Sequence, residues 1–372
     1  MLELVDLLEL MVRLDASDAF ITTSAPISVK VNGSIRAINS DVLNHDDTRE
    51  FAYSIMNEEQ RRGFEATKES NFAIHPPKIG RFRVNVFIQR GNVAMVMRKI
   101  NIKIPTIEEL KLPPIMPKIA MQQRGLIVMV GGTGTGKSTT QAAMIGHRNA
   151  RSHDHIITIE DPIEFIHPHR KSLISQREVG IDTDSFAIAL KNSMRQAPDV
   201  IQIGEIRDAD TMHNAIVFAE TGHLCMATLH ANNTYQALDR IINFFPEGRK
   251  GQLLMDLSMN LHALVSQRLI PTADGQGRVA AVEVMINTPL IADIIQRGEL
   301  HKIPDVIERS QELGLQTFDQ ALFDLYCQNL ITAEEALRNA ESENNLRLKI
   351  KLEGPEADKK SKAEIDTELL AF

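Results

Sequence analysis

The sequence is short of cysteine, of long apolar runs and of positive charge, and each shortage removes a class of protein. Its 372 residues include two cysteines, Cys225 and Cys327. Two are too few for a disulfide scaffold, and these lie too far apart for a Cys-x-x-Cys zinc or redox motif. No stretch approaches the roughly 18 consecutive apolar residues of a membrane-spanning helix. The opening MLELVDLLELMVRL is interrupted by Glu3, Asp6 and Glu9, whereas an export signal has a basic start and an unbroken apolar run. Leu4, Leu7, Leu8 and Met11 recur at helical spacing, which predicts an amphipathic helix packed on its own domain. Lys and Arg number 41 against 49 Asp and Glu, a formal charge of −8. That balance counts against nucleic acid as the main partner, because phosphate binding calls for a basic face. There is no internal repeat. The expectation is a protein of the reducing cytoplasm.

What is present divides the chain by pattern. The length suits about two domains, each able to bury a core without staples. Residues 1–100 read as a small α+β domain. Short strands are expected at Ala19–Thr22 and Ile27–Val31, followed by a hairpin at Asn32-Gly33, a pair suited to a turn with positive φ. A helix is expected from Asp46 to Glu65, capped by Asp46 or Asp47. RFRVNVFIQR then alternates, with Phe82, Val84, Val86 and Ile88 on one face and Arg81, Arg83, Asn85 and Phe87 on the other. Gly91-Asn92 should turn the chain into a second strand, Val93–Ile100. Pro105, Pro113, Pro114 and Pro117 mark residues 101–118 as a linker.

From 119 to 345 the pattern is α/β. Apolar runs at Leu126–Val130, Ile156–Ile159, Val200–Ile203 and Leu224–Leu229 alternate with helical stretches, the signature of a mostly parallel sheet covered on both faces. Helices alone are expected after about Thr317. Charges crowd after Glu341, and residues 346–372 read as a charged, flexible tail.

The sharpest local signal is LIVMV followed by GGTGTGKST. It fits G-x-x-x-x-G-K-[ST], after a strand and before a helix, as a phosphate-binding loop requires. Gly131, Gly132, Thr133, Gly134, Thr135, Gly136, Lys137, Ser138 and Thr139 are therefore the candidate ATP-binding residues. Glycines let successive N–H groups turn inward toward phosphate oxygens, and the helix N-terminus adds positive potential. Lys137 should reach the β- and γ-phosphates, and Ser138 should ligate Mg²⁺.

Hydrolysis also needs a carboxylate on the metal side and a group to orient water, both at the carboxyl ends of neighbouring strands. Three such ends carry polar residues. HIITIEDPIEF supplies Glu160, Asp161 and Glu164; DVIQIGEIRD supplies Glu205 and Arg207; CMATLHANN supplies His230. Glu205 is expected to hold Mg²⁺ through water, with Glu160 as a secondary metal candidate. Arg81, Arg83 and Arg98 have no spacing that places them at a nucleotide. The pairs His153/His155 and His167/His169 lack a third ligand and read as ordinary polar residues.

GGTGTGKS, ITIEDPIEF, IGEIRD and ATLHANN, in this order, resemble the Walker A, Asp box, Walker B and His box of secretion ATPases of the type II and type IV pilus class. RFRVNVF, KSLISQREVG, ETGHL and FFPEG resemble its pilus retraction branch, PilT and PilU, over about residues 1–345. The resemblance implies a PAS-like N-terminal domain, a RecA-like ATPase domain and a homohexamer. By the same resemblance, Glu164 polarises the attacking water, Glu205 supports Mg²⁺ and His230 senses the γ-phosphate. Arg81, Arg83 and Arg98 would close over the phosphates, and Arg195 would act similarly. The family's partners would be PilT and the platform protein PilC, with the ring peripheral at the inner face of the inner membrane and binding no nucleic acid.

Three departures from PilT point to the PilU side of the branch. Thr288-Pro289 is followed by LIADIIQRGEL in place of AIRNLIRE, RQAPD (residues 195–199) replaces REDPD, and the charged tail extends further. A principal retraction motor, a nucleic-acid motor on the same core and a non-hydrolysing partner of PilT are the other readings.

Overall fold

The computed structural model of the chain describes residues 3–31, 33–100 and 103–355. It comprises two compact units. The first lies within Met1–Lys103 and also takes in Pro162–Ile166 and Glu178–Asp184. The second runs over Ile104–Asp161, His167–Arg177 and from Ser185 onward.

Unit 1 contains α1 (Leu4–Arg13), β1 (Asp18–Ile21), β2 (Pro26–Val31), β3 (Ser34–Val42), α2 (His45–Ser54), α3 (Glu58–Thr67), β4 (Glu69–Ile74), β5 (Arg81–Gln89) and β6 (Asn92–Ile100). The strands form one antiparallel sheet in the order β3-β2-β1-β6-β5-β4. Leu7, Leu8 and Met11 of α1, Phe51 of α2 and Phe64 of α3 share its core with Phe82, Val84 and Val86 of β5. Burying each such side chain contributes about 1.5–3 kcal/mol. This is the expected α+β, PAS-like domain, with local differences. The single helix over 46–65 is two helices, because Asn57 caps a new one with Gln60 as its reciprocal partner. Asn44 caps α2, and Asp47 serves as the returning carboxylate of that capping box. The β5–β6 turn is Arg90-Gly91, both at positive φ, with Asn92 already paired to Gln89. Gly33 has φ +80° at the β2–β3 connection; Asn32 lies outside the described residues.

Unit 2 contains α4 (Met116–Ala120), β7 (Gly125–Val130), α5 (Lys137–Asn149), β8 (His155–Glu160), β9 (Leu173–Glu178), α6 (Phe186–Ser193), β10 (Val200–Ile203), α7 (Ala209–Glu220), β11 (Leu224–Leu229), α8 (Thr234–Asn243), α9 (Glu247–Asn260), β12 (Leu261–Pro271), β13 (Arg278–Ile286), α10 (Pro289–Gln296), α11 (Ile303–Glu308), α12 (Phe318–Cys327), α13 (Ala333–Asn339) and α14 (Glu343–Glu353). Its sheet runs β13-β12-β7-β11-β10-β8-β9. β8, β10, β11, β7 and β12 pair in parallel, and β13 is antiparallel to β12. β7, β10 and β11 are buried at every position, so their apolar runs reflect cover on both faces. Among the described residues, no helix is long and apolar enough to cross a membrane.

Two expectations about the ends of this domain are corrected. Residues 104–118 are not a linker: Ile107, Leu112 and Met116 are buried in the unit 2 core beside Ile127 and Met144. Pro105, Pro113 and Pro114 lie outside helices and strands and Pro117 sits in the first turn of α4, but none of them makes the segment polar. The stretch after 345 does not start as a tail, because α14 continues to Glu353 and buries Leu346 against the α12–α13 cluster. Residues 356–372 lie outside the described part of the chain. Met116→Ala should lower unfolding stability by about 2–4 kcal/mol, measured by denaturant titration; an unchanged midpoint would restore the linker reading.

Candidate active site

The parallel register sets the candidate site. Val130 pairs with Leu229, so Gly131 and His230 leave the sheet side by side. Ile203 pairs with Ala227 on one side and Ile159 on the other, which brings Gly204-Glu205 and Glu160 to the same edge. The loop of residues 131–136 opens directly into α5, whose first N–H groups have no intrahelical acceptor. Lys137 is buried and folds back over the loop. Its Nζ donates to the carbonyl oxygens of Gly131 at 2.8 Å and Gly132 at 2.7 Å. A cation is thus held where anionic oxygens would enter.

A residue that the motif does not contain, Gln267 of β12, braces this loop from behind. It is buried, its Nε2 donates to the Thr135 carbonyl at 2.8 Å, and its Oε1 accepts from Thr140 Oγ1 at 2.7 Å. A Cβ on Gly136 would fall 2.7 Å from Gln267 Nε2, and one on Gly131 would fall 2.8 Å from the Gln267 carbonyl oxygen. Gly131 is thus held to glycine by the Gln267 backbone carbonyl and by Thr135 Oγ1, 2.5 Å from the same Cβ position, and Gly136 by its φ of +87°. No local signal could have found Gln267, because its partners are more than a hundred positions away. Beside it lies a cavity of about 270 Å³ lined by Gly136, Thr139, Leu269, Arg278 and the segment 109–112.

At the next strand ends, Glu205 Oε1 lies 3.2 Å from His230 Nε2, and Glu205 Oε2 accepts from Arg207 Nε at 2.8 Å. Its backbone is set by neighbouring strands: Gly204 N–H donates to Ile159 O, Ile206 N–H donates to Thr228 O, and Thr228 Oγ1 donates to Gly204 O. Glu160 is buried and accepts from Thr158 Oγ1 and Gln176 Nε2. Ser138 follows Lys137 in the first turn of α5. Serine and carboxylate oxygens make a hard donor set of the kind Mg²⁺ takes.

Four other expected residues, Arg81, Arg83, Arg98 and Glu164, lie in unit 1. Arg83 and Arg98 are directly opposite in the β5–β6 register, and Arg81 is two positions along on the same face. Arg98 pairs with buried Asp18 at 2.8 Å. Arg81 Nη2 stands 3.8 Å from Glu178, whose carboxylate also accepts the Ile163 N–H at 3.3 Å. Burial pushes the Glu178 carboxyl up, opposed by the Ile163 hydrogen bond and by the charges of Arg83 and Arg81. Glu164, the next residue, is exposed. Unit 1 thus gathers Arg81, Arg83, Arg98 and Glu164, while unit 2 gathers the phosphate loop, Glu160, Glu205 and His230.

Arg195 joins neither group. It precedes β10, in a loop whose Gln196 carbonyl meets His155 Nδ1 at the amino end of β8. That is the sheet edge opposite the phosphate loop, so within unit 2 Arg195 does not stand beside that loop. His155 is also engaged with Ser175 and His169 with the Ile174 N–H. Desolvation lowers the buried His167 to about 4.

Gln267→Glu tests the brace. A carboxylate cannot donate to the Thr135 carbonyl, and it adds negative charge behind the phosphate loop. ATP affinity should fall about tenfold, roughly 1.4 kcal/mol, as read by titration calorimetry. An unchanged affinity would reduce Gln267 to a packing residue.

The family described as type II/IV secretion system protein matches residues 8–332. The type IV pilus ATPase PilU of Pseudomonas aeruginosa is 58% identical over 357 residues, covering 96% of this chain and 93% of that protein. The type IV pilus retraction ATPase PilT of the same organism is 39% identical over 344 residues, covering 92% and 100%. The crystal structure of the pilus retraction motor PilT with bound ADP superposes with a TM-score of 0.87 at 39% identity, covering 93% of this chain and 99% of that one. The chain belongs to the type II/IV secretion system protein family, on the branch of its type IV pilus ATPases.

Proposed function

We propose that this protein hydrolyses ATP to support retraction of a type IV pilus, as a homohexamer that works with PilT at the PilC platform on the inner face of the inner membrane. The observation that carries the reading is the convergence of the Lys137-closed phosphate loop, Glu205 and His230 on one edge of one sheet. The similarity to PilU along nearly the whole chain supports the pilus context.

In this mechanism the loop of residues 131–136 and the α5 N-terminus receive the α- and β-phosphates, and the nucleoside lies toward the cavity beside Gly136 and Thr139. Lys137 exchanges the Gly131 and Gly132 carbonyls for β- and γ-phosphate oxygens. Ser138, with Glu205 acting through water, would hold Mg²⁺, which supplies neutralisation of the charge that builds on the phosphates. Glu164 orients a water and takes up its proton as the water oxygen bonds to the γ-phosphorus. The bond from that phosphorus to the bridging oxygen breaks, leaving ADP and phosphate. His230, already against Glu205, reports the presence of the γ-phosphate to the metal-side carboxylate. Arg81, Arg83 and Arg98 keep the charge-stabilising role that the family resemblance gives them. The chemistry is positioning and charge stabilisation throughout.

Lys137→Ala should abolish steady-state phosphate release by the purified full chain. Glu164→Ala should retain ATP binding and turn over at least about a hundredfold more slowly; normal turnover in that variant would remove Glu164 from its role. Addition of single-stranded DNA should not stimulate the rate. Cells carrying Lys137→Ala should show impaired pilus retraction, and normal retraction would leave turnover without a cellular purpose here.

A further inference from the structure

The segment that carries His230 is held from the C-terminal helices. Arg268 follows Gln267 on β12 and projects to the opposite face of the strand. Its guanidinium lies 4.0 Å from the centroid of the Phe318 ring on α12. Nη1 donates to the Asn339 carbonyl at the end of α13, at 2.8 Å. Nη2 donates to the Asn232 carbonyl and to Glu341 Oε1, both at 3.2 Å. That same Glu341 oxygen accepts from Asn233 Nδ2 at 2.8 Å. Glu341 is itself fixed, because the Asp319 carboxylate accepts both its N–H and that of Ser342.

Three consecutive residues, Asn232, Asn233 and Thr234, are therefore tethered. The Asn232 carbonyl is held by Arg268, and also by Ser266 Oγ at 3.4 Å. The Asn233 side chain is held by Glu341. The Thr234 N–H donates to buried Glu283 at 2.7 Å; burial pushes that carboxyl up to about 7. On the other side Leu229 is locked into β11 by its register with Val130. Between these fixed points only His230 and Ala231 remain, so the backbone that aims the imidazole at Glu205 has little freedom of its own.

We propose that Arg268 and Glu341 are positioning residues for His230, which makes the C-terminal helices α12–α14 part of the machinery that reads the γ-phosphate. The pairing is geometric as well as electrostatic. A planar guanidinium can stack on Phe318 while its two nitrogens point at Asn339 and Asn232, which a lysine cannot reproduce. Loss of either partner loosens the Asn232–Asn233 turn, leaving it to Ser266, Glu283 and the Asn233 cap of α8, and lets His230 drift from Glu205. The role of His230 rests on the hydrolytic reading above, so the test separates the two.

Glu341→Gln and Arg268→Lys are made in the full chain, and two quantities are measured. The first is the rate at which diethylpyrocarbonate modifies His230, followed by mass spectrometry, which needs no activity. The second is the split between kcat and KM for ATP, in each variant alone and combined with His230→Ala. The expected result is faster His230 modification and a kcat lowered by about tenfold with KM little changed, the scale on which supporting residues act. In the His230→Ala background the Glu341 substitution should then add almost nothing. An unchanged modification rate in both variants overturns the positioning role whatever happens to kcat. A full additional loss in the His230→Ala background also overturns it. Wild-type turnover in His230→Ala alone, with modification still faster in Glu341→Gln, instead overturns the catalytic reading of His230 and leaves the tether standing as a structural contact only.

Discussion

The fixed parallel register of β7, β11, β10 and β8 is the constraint on which the rest depends. Successive strands end one after another along one edge, each delivering a different group: the phosphate loop, His230, Glu205 and Glu160. A shift of one residue in any strand would turn its buried face outward and move its terminal group out of line. The complete burial of β7, β10 and β11 therefore stabilises the fold and sets the geometry of the site at once.

β12 extends this logic. It pairs in parallel with β7, so two adjacent residues on it serve two parts of the site. Gln267 faces the phosphate loop, and Arg268 faces the C-terminal helices and the turn after His230. One strand thereby ties nucleotide binding, the His box and α12–α14 to a single backbone. In unit 1, Arg81 and Glu178 form a comparable tie beside the Asp box, joining the arginine-bearing strand to the backbone next to Glu164.

What could be read from the sequence was what is local. The phosphate loop, the apolar strands and the acid- or histidine-bearing strand ends each declare themselves within a dozen residues, and their order carried the family resemblance. The α2–α3 break was hidden because Ile55, Met56 and Asn57 continue a pattern that only the Asn57 cap interrupts. Residues 104–118 looked like a linker because proline content says nothing of whether Ile107 and Met116 find a core. That Arg195 precedes β10 puts it at the amino edge of the sheet, but no local pattern tells what its side chain serves. Gln267, Arg268 and Glu341 were invisible: Thr140 lies 127 positions from Gln267, and Glu341 lies 73 from Arg268. Only the fold brings them together.

In the proposed mechanism, Glu205 and the phosphate loop organise ATP hydrolysis at the edge of this one sheet. Phosphate release by the purified full chain with ATP and Mg²⁺, compared with Glu205→Gln, tests it most directly. The account requires steady turnover by the natural protein and its near-complete loss in Glu205→Gln with ATP binding retained. Equal rates in the two proteins, or no phosphate release by the natural one, would contradict it.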